Sequence, residues 1–337
     1  MSLLLVVITV FLGGSFAIPA LLGPTYHTND YYTHEEIQDY LDGLARSYGN
    51  RVELKEVGKS YENRTLRTIT ISNGDGRPGK NVIFMDAGIH AREWLTHTTA
   101  LNIINELVVN YEHNKDLLED YEWIILPLVN PDGYTYSRSA NWRKKWRKNR
   151  KPSTNGCIGT DLNRNFEAGW GTGDASDDPC NFYTYRGEAP FSEPEAQAIQ
   201  KVLLELSTSK RGKLYVTIHS AAGEILYPWS NVKENGHNYR EHLKIAKRAI
   251  QAMRKTKRPS KYISRPGSDM YVAGGVSSDY AYNLGFPLSF TWELPKENEN
   301  YEFLFYPPKH LIRELVEETW IGVRAMAESV IKYYPTL

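Results

Sequence analysis

Short apolar runs recur along this chain with amphipathic helical patterns between them, and that alternation limits the fold more than any other feature. The runs are Asn81–Ala87 and residues 123–129, 214–218 and 288–292. A short apolar run bounded by turn residues suits a strand buried on both faces. Buried strands alternating with helices argue for an α/β fold, with helices covering the sheet. Thr33–His34–Glu35–Glu36 reads as a capping box opening a helix to about Ser47, with Ile37, Leu41 and Leu44 on one face. Ser192–Glu193–Pro194–Glu195 reads as a second one, ahead of Ile199, Val202, Leu203 and Leu206. Further strands are expected at 52–57 and 68–72, and helices at 94–110, 238–255 and from Lys309 to about Tyr334. Residues 130–190 look irregular throughout, and loops that long are usually functional.

No internal repeat, low-complexity tract or long linker divides the 337 residues, so one domain is expected over 29–337. With 41% hydrophobic and 24% charged residues, the chain is neither disordered, collagen-like nor a multi-span membrane protein. Lys and Arg (40) balance Asp and Glu (40), so net charge gives no reason to expect nucleic acid or acidic partners.

Leu3 to Leu12 are apolar and small residues follow to Ala17, the pattern of a signal peptide over residues 1–17. The run is too short to span a bilayer as a helix. A secreted, extracellular protein with no membrane association is therefore expected. Asn63–Arg64–Thr65 is the only glycosylation sequon, making Asn63 a glycan candidate. Cys157 and Cys180 are the only thiols, and in an oxidising compartment they would pair, worth about 3 kcal/mol by the chain-entropy argument.

His90–Ala91–Arg92–Glu93 follows directly on the first apolar run. A His and a Glu three residues apart can converge on one ion if they start a helix. Zinc accepts imidazole nitrogen and carboxylate oxygen, and a catalytic site keeps one position open. A third ligand must come from elsewhere. His219 is the best candidate, because it ends a strand, where ligands gather in α/β sheets. Glu293 ends another strand and should lie at the same edge. Asp161–Leu162–Asn163–Arg164–Asn165 offers an Arg and an Asn that can grip a carboxylate. Arg143 to Lys151 is a basic run that is either a solvated loop or a set of cations facing an anionic substrate group.

Together these motifs resemble the zinc metallocarboxypeptidases, in particular the secreted pancreatic carboxypeptidase A/B branch, over about Tyr31 to Tyr334. The matching stretches are H-A-R-E-W at His90, W-R-K-N-R at Trp146, C-I-G-T-D-L-N-R-N-F at Cys157, H-S at His219 and F-T-W-E at Phe290. The resemblance implies a single α/β domain with a mixed, twisted β-sheet sandwiched between α-helices. It implies one Zn(2+) per chain on His90, Glu93 and His219, a ligand set known for the family and not one that spacing yields. It also implies Glu293 as general base and Arg147 as the residue that meets the oxyanion; Trp142–Arg143 is a second W-R-K, but Arg147 fits the family spacing to Cys157 better. Asn163, Arg164 and Tyr271 would hold a terminal carboxylate, and Arg92 would line the next subsite. A buried Arg without a carboxylate partner is costly, which would disfavour internal peptide segments. Asp161 would orient a zinc-binding His, and Cys157 with Cys180 would be the family's disulfide. The expected activity is release of the C-terminal residue from peptides and proteins by a monomer.

Three departures stand out. About ten residues separate Ala17 from the expected domain, where secreted members carry an inhibitory propeptide. The position that sets side-chain preference falls on Ser278, neither the apolar residue of A-type nor the acid of B-type enzymes, with Asp269 as the alternative group for the pocket. A neutral C-terminal side chain is expected. After Glu293 the chain reads Leu294–Pro295–Lys296–Glu297–Asn298, unlike the family's usual loop. The other readings open at this point are a catalytically silent peptide-binding homologue and an amide hydrolase acting on a non-peptide substrate.

Overall fold

The computed structural model describes residues 26–296 and 304–335. The expected signal peptide (1–17) and residues 297–303 of the unusual loop lie outside them. The described chain forms an eight-stranded sheet with helices on both faces. Its strands are β1 (Val52–Lys59), β2 (Thr65–Ile71), β3 (Asn81–Ala87), β4 (Tyr121–Leu126), β5 (Gly212–Ser220), β6 (Glu224–Tyr227), β7 (Ile263–Pro266) and β8 (Leu288–Leu294). They lie in the order β1-β2-β4-β3-β5-β8-β6-β7. The central pairs β4–β3, β3–β5 and β5–β8 are parallel, whereas β1–β2, β2–β4 and β6–β8 are antiparallel. The sheet is thus mixed, as the resemblance implied.

All seven residues of β3 are buried, and successive side chains enter opposite cores. Ile83 and Met85 pack toward helices α1 (His34–Ser47), α2 (Trp94–Val108), α6 (Tyr239–Met253) and the closing helix Lys309–Tyr333. Val82 and Phe84 pack on the other side, with Ile199 and Leu203 of α5 (Pro194–Thr208) and with Phe286. Each fully buried Leu, Ile or Phe contributes about 1.5–3 kcal/mol relative to leaving it in water, so the two layers fix the strand register.

That register positions the functional edge. Ala87 at the end of β3 lies beside Ile218 of β5, and His219 lies beside Glu293 of β8. The C-terminal ends of three adjacent parallel strands therefore deliver His90, His219 and Glu293 to one place.

The first capping box forms as expected: Glu36 N–H donates to Thr33 Oγ1 at 3.1 Å and Thr33 N–H to Glu36 Oε2 at 2.7 Å. The second does not. Helix α5 starts at Pro194 with Glu193 as N-cap and no side-chain capping bond. Glu195 instead accepts from Tyr61 N–H and Asn149 Nδ2, both at 3.0 Å, while Ser192 Oγ donates to Glu193. Tertiary partners took both groups away from the local motif. After the single-turn α3 (Tyr111–Asn114), there is also regular structure within 130–190: α4 (Pro131–Arg138) begins with Pro at its first turn, and Asn130 Oδ1 accepts Gly133 N–H at 2.9 Å. Strands β6 and β7, four residues each, escaped the sequence reading; β7 is an edge strand that ends in Pro266.

Candidate metal centre and substrate cleft

Strand β3 ends at Ala87, and Gly88 turns the chain with φ +71°, where an added Cβ would stand 2.7 Å from Leu128 Cδ1. His90 and Glu93 come together through a turn, Glu93 N–H donating to His90 O at 3.1 Å, and not through a first helical turn. Helix α2 starts one residue later, with Glu93 as its N-cap. His90 Nδ1 lies 2.8 Å from Glu93 Oε1. His219 Nδ1 lies 3.1 Å from His90 Nδ1 and 3.2 Å from Glu93 Oε2. All three residues are buried.

The far side of each ring explains why this cluster suits a cation. His90 Nε2 donates to Asp161 Oδ1 at 3.0 Å, and His219 Nε2 to Thr217 Oγ1 at 3.2 Å. A neutral imidazole that donates through Nε2 leaves a lone pair on Nδ1. With both rings in that form, two lone pairs and a carboxylate would face one another at hydrogen-bond distance, and a bound metal ion would relieve the repulsion. Two imidazoles and one carboxylate form a donor set suited to zinc. Burial, then Arg147, lowers the His90 pKa and so favours the neutral ring. Burial would raise Glu93, but the two histidines outweigh it and hold the carboxyl below its usual range.

Asp161 is fully buried and ties two functional groups together. Its Oδ1 takes the His90 bond; its Oδ2 accepts from Arg147 Nε at 3.0 Å and Nη2 at 2.9 Å. The Arg147 backbone is also pinned to the metal turn, its carbonyl accepting from Ala91 N–H at 3.0 Å. Arg147 Nη1 reaches to 3.7 Å from Glu93 Oε1, so the guanidinium faces the His90–Glu93–His219 cluster. Glu293 is half-buried, and loss of water around its carboxyl pushes the pKa up to about 7. It shares with His90, His219 and Arg147 a cavity of about 430 Å³ open to solvent.

Asn163, Arg164 and Tyr271 line the same cavity. Asn163 Oδ1 accepts Ser277 N–H at 3.0 Å, which fixes the amide. Gly275 lets its loop close over Arg164: a Cβ there would meet Arg164 O at 2.3 Å. Tyr271 is exposed at the rim, its ring centre 5.8 Å from the Arg164 guanidinium. Arg164 differs from expectation, because it already has a carboxylate. Nε and Nη2 donate to Asp174 at 2.8 and 2.9 Å, and Nη1 donates to Asn163 O at 2.8 Å. An unpaired buried cation therefore cannot be what selects against internal segments.

The specificity end also departs from the sequence reading. Ser278 is buried and does not line the cavity; its Oγ accepts from Thr291 Oγ1 at 3.0 Å, and Thr291 presents the surface. Asp269 is exposed and is not among the lining residues. The wall there consists of Leu226, Ser230, Met270, Ala273, Val276 and Thr291, with no charge. Behind it Asp279 accepts N–H bonds from Ser230 and Asn231, and burial raises its pKa to about 7. Arg92 lies outside this cavity, its guanidinium 4.6 Å from the Phe305 ring centre and 5.6 Å from that of Tyr183. Cys157 and Cys180 form a disulfide.

Two acids escaped the sequence reading. Asp174 carried no local signal. Asp86 did: it is an acid within a strand whose residues are all buried. Its Oδ1 accepts from Thr217 Oγ1 at 2.8 Å and its Oδ2 from the Tyr215 hydroxyl, so a carboxylate backs His219 through Thr217 as another backs His90 directly.

The sequence profile described as zinc carboxypeptidase matches residues 37–322. Carboxypeptidase A2 of Rattus norvegicus is 34% identical over 312 residues, covering 91% of this chain and 72% of the relative. Carboxypeptidase B of Astacus astacus is 34% identical over 307 residues, covering 90% and 98%. Among solved structures, carboxypeptidase A of Helicoverpa armigera aligns with a TM-score of 0.85 at 33% identity, covering 92% of this chain and 76% of that one.

Proposed function

The chain belongs to the zinc carboxypeptidase family, as a zinc-dependent C-terminal exopeptidase, and we propose from that premise how its residues act, on what, and where. The observation that carries the mechanism is the meeting of His90, Glu93 and His219, their ligand atoms within 4.8 Å of one another, with Glu293 on the adjacent strand. The three would hold one zinc ion, which when bound polarises the scissile carbonyl and acidifies water. Glu293 takes the proton of the attacking water and returns it to the leaving amine; its raised pKa suits both halves of that task. Arg147, aimed by Asp161, meets the charge that grows on the carbonyl oxygen. Asn163, Arg164 and Tyr271 hold the terminal carboxylate, and Arg92 contacts the substrate upstream.

The uncharged wall around Thr291 and Ser230 supports a preference for neutral C-terminal side chains, because a buried Lys, Arg or Asp side chain would find no opposite charge. Residues 1–17 act as a signal peptide and 29–337 as the catalytic domain of a secreted, extracellular monomer whose partners are peptide and protein C-termini. Two features support secretion: the disulfide, and Asn63 exposed at the β1–β2 turn, where a glycan has room. No helix of the described residues is long and apolar enough to cross a membrane.

The test is a panel of peptides differing only in the last residue, with and without chelator. Chelator-sensitive release, fastest for neutral residues, is expected. No release by zinc-loaded protein would overturn the mechanism, and preference for a charged residue would overturn the specificity. A second test concerns the clamp. Arg164→Ala should raise KM about tenfold or more for peptides with a free C-terminus but not for amidated ones. The effect should sit near the low end for a charge-assisted pair, because Asp174 already satisfies one edge of the guanidinium. An equal effect on both peptides would remove Arg164 from the clamp.

A further inference from the structure

The chain carries no net charge, yet residues 239–261 hold nine Lys and Arg against one acid, Glu241. Helix α6 turns His242, Ile245, Ala246, Ala249, Ile250 and Met253 inward. Its outer face carries Arg240, Lys244, Lys247 and Arg248, all exposed, at the spacing of one helical stripe. The turn beyond the helix extends the stripe with Arg254, Lys255, Lys257, Arg258 and Lys261, also exposed. None of the nine forms an ion pair with a described residue. Arg240 Nε donates to its neighbour Tyr239 Oη, and Lys244 sits over the Tyr333 ring. Glu241, the one acid of the stretch, accepts from the Tyr334 hydroxyl.

Like charges at helical neighbours destabilise the helix that bears them, so this face lacks the balance found in the rest of the chain. A polyanion would supply it. Two solvent-open grooves of about 650 and 990 Å³ lie along the stripe. The first is walled by Arg240, Lys244, Lys247 and Arg248; the second by Lys255, Lys257 and Arg258 together with His310 and Arg313, with the acids Glu314, Glu317 and Glu318 among its other lining residues. A 15-residue helix is about 22 Å long, so the cations form a linear track and not a single-anion pocket.

We propose that the outer face of α6 and the turn after it bind a linear sulfated polysaccharide. Helix α6 exposes no large apolar side chain that could insert into a membrane or stack on bases, which disfavours both a lipid surface and single-stranded nucleic acid. The choice of a sulfated polysaccharide rests on the extracellular reading above. None of the nine cations lines the catalytic cavity, so binding and peptide hydrolysis are separable.

The purified chain is tested on immobilised heparin and on a sulfopropyl cation exchanger, and with a soluble heparin decasaccharide. Retention on heparin above about 0.15 M salt, and later elution than from the exchanger, is expected. The variant R240Q/K244Q/K247Q/R248Q should bind the decasaccharide at least about tenfold more weakly, as removal of several counterion-releasing contacts requires. Its release of a C-terminal residue from a short peptide should be unchanged, which shows that it is folded. R254Q/K255Q/K257Q/R258Q should weaken binding as well. No retention at about 0.15 M salt, equal elution from both resins, or wild-type affinity in both variants would overturn the site. So would equally tight binding to phosphatidylserine vesicles or to DNA. Secretion is read separately, from whether expressing cells release the chain into their medium.

Discussion

Glu293→Gln is expected to keep its zinc and lose about 10²- to 10⁴-fold in kcat, the usual worth of a positioned proton carrier. Gln matches Glu in shape, and the position lies within β8, beside His219 in the β5–β8 register. The sheet should therefore be undisturbed. What changes is that an amide cannot accept and return a proton. Because the proposed ligands are three other residues, the metal should stay. Zinc content by atomic absorption and kcat at saturating peptide check the two halves separately. Turnover near wild type with full zinc would refute the role of base; loss of zinc would make Glu293 part of the ligand set.

Asp161→Asn should have a double effect, because one carboxylate serves two groups. Its Oδ1 accepts one hydrogen bond from His90 and its Oδ2 two from Arg147. An amide has only one accepting atom. Whichever way Asn turns, its NH₂ faces a donor, either the His90 ring or the Arg147 fork. Zinc affinity should fall about 10- to 100-fold, as for other partners of metal-binding histidines. At saturating zinc, kcat should still fall about 10²- to 10³-fold, because Arg147 is no longer aimed. Competition with a fluorescent chelator measures the first and zinc-saturated kinetics the second. Loss of affinity with unchanged kcat would separate Asp161 from the oxyanion site, and no change in either would refute both roles.

Much of the site was legible because its chemistry sits in short stretches. His90 and Glu93 are three residues apart, Asp161, Asn163 and Arg164 fall within four, and His219 and Glu293 each end an apolar run. What was misread was held by distant partners. The second capping box was undone by Asn149 and Tyr61. Ser278 was expected at the pocket floor, but it is buried and hydrogen-bonded to Thr291, which lines the cavity. Arg164 looked unpaired because Asp174, ten residues on in an irregular stretch, gives no periodic signal. Asp86 was passed over inside an apolar run, since nothing local reveals the hydroxyl that links it to His219.

The sequence alone determined the class of fold and the inventory of donors. Apolar periodicity dictates which segments must be buried, and the residue types dictate which atoms can take a metal or a proton. The tertiary structure decided how those donors are spent: which ring nitrogen is left without a partner behind it, which carboxylate occupies Arg164, and which side chains line the cavity. Hydrogen bonds hold only across about 3 Å, and sheet register brings groups more than a hundred residues apart within that reach.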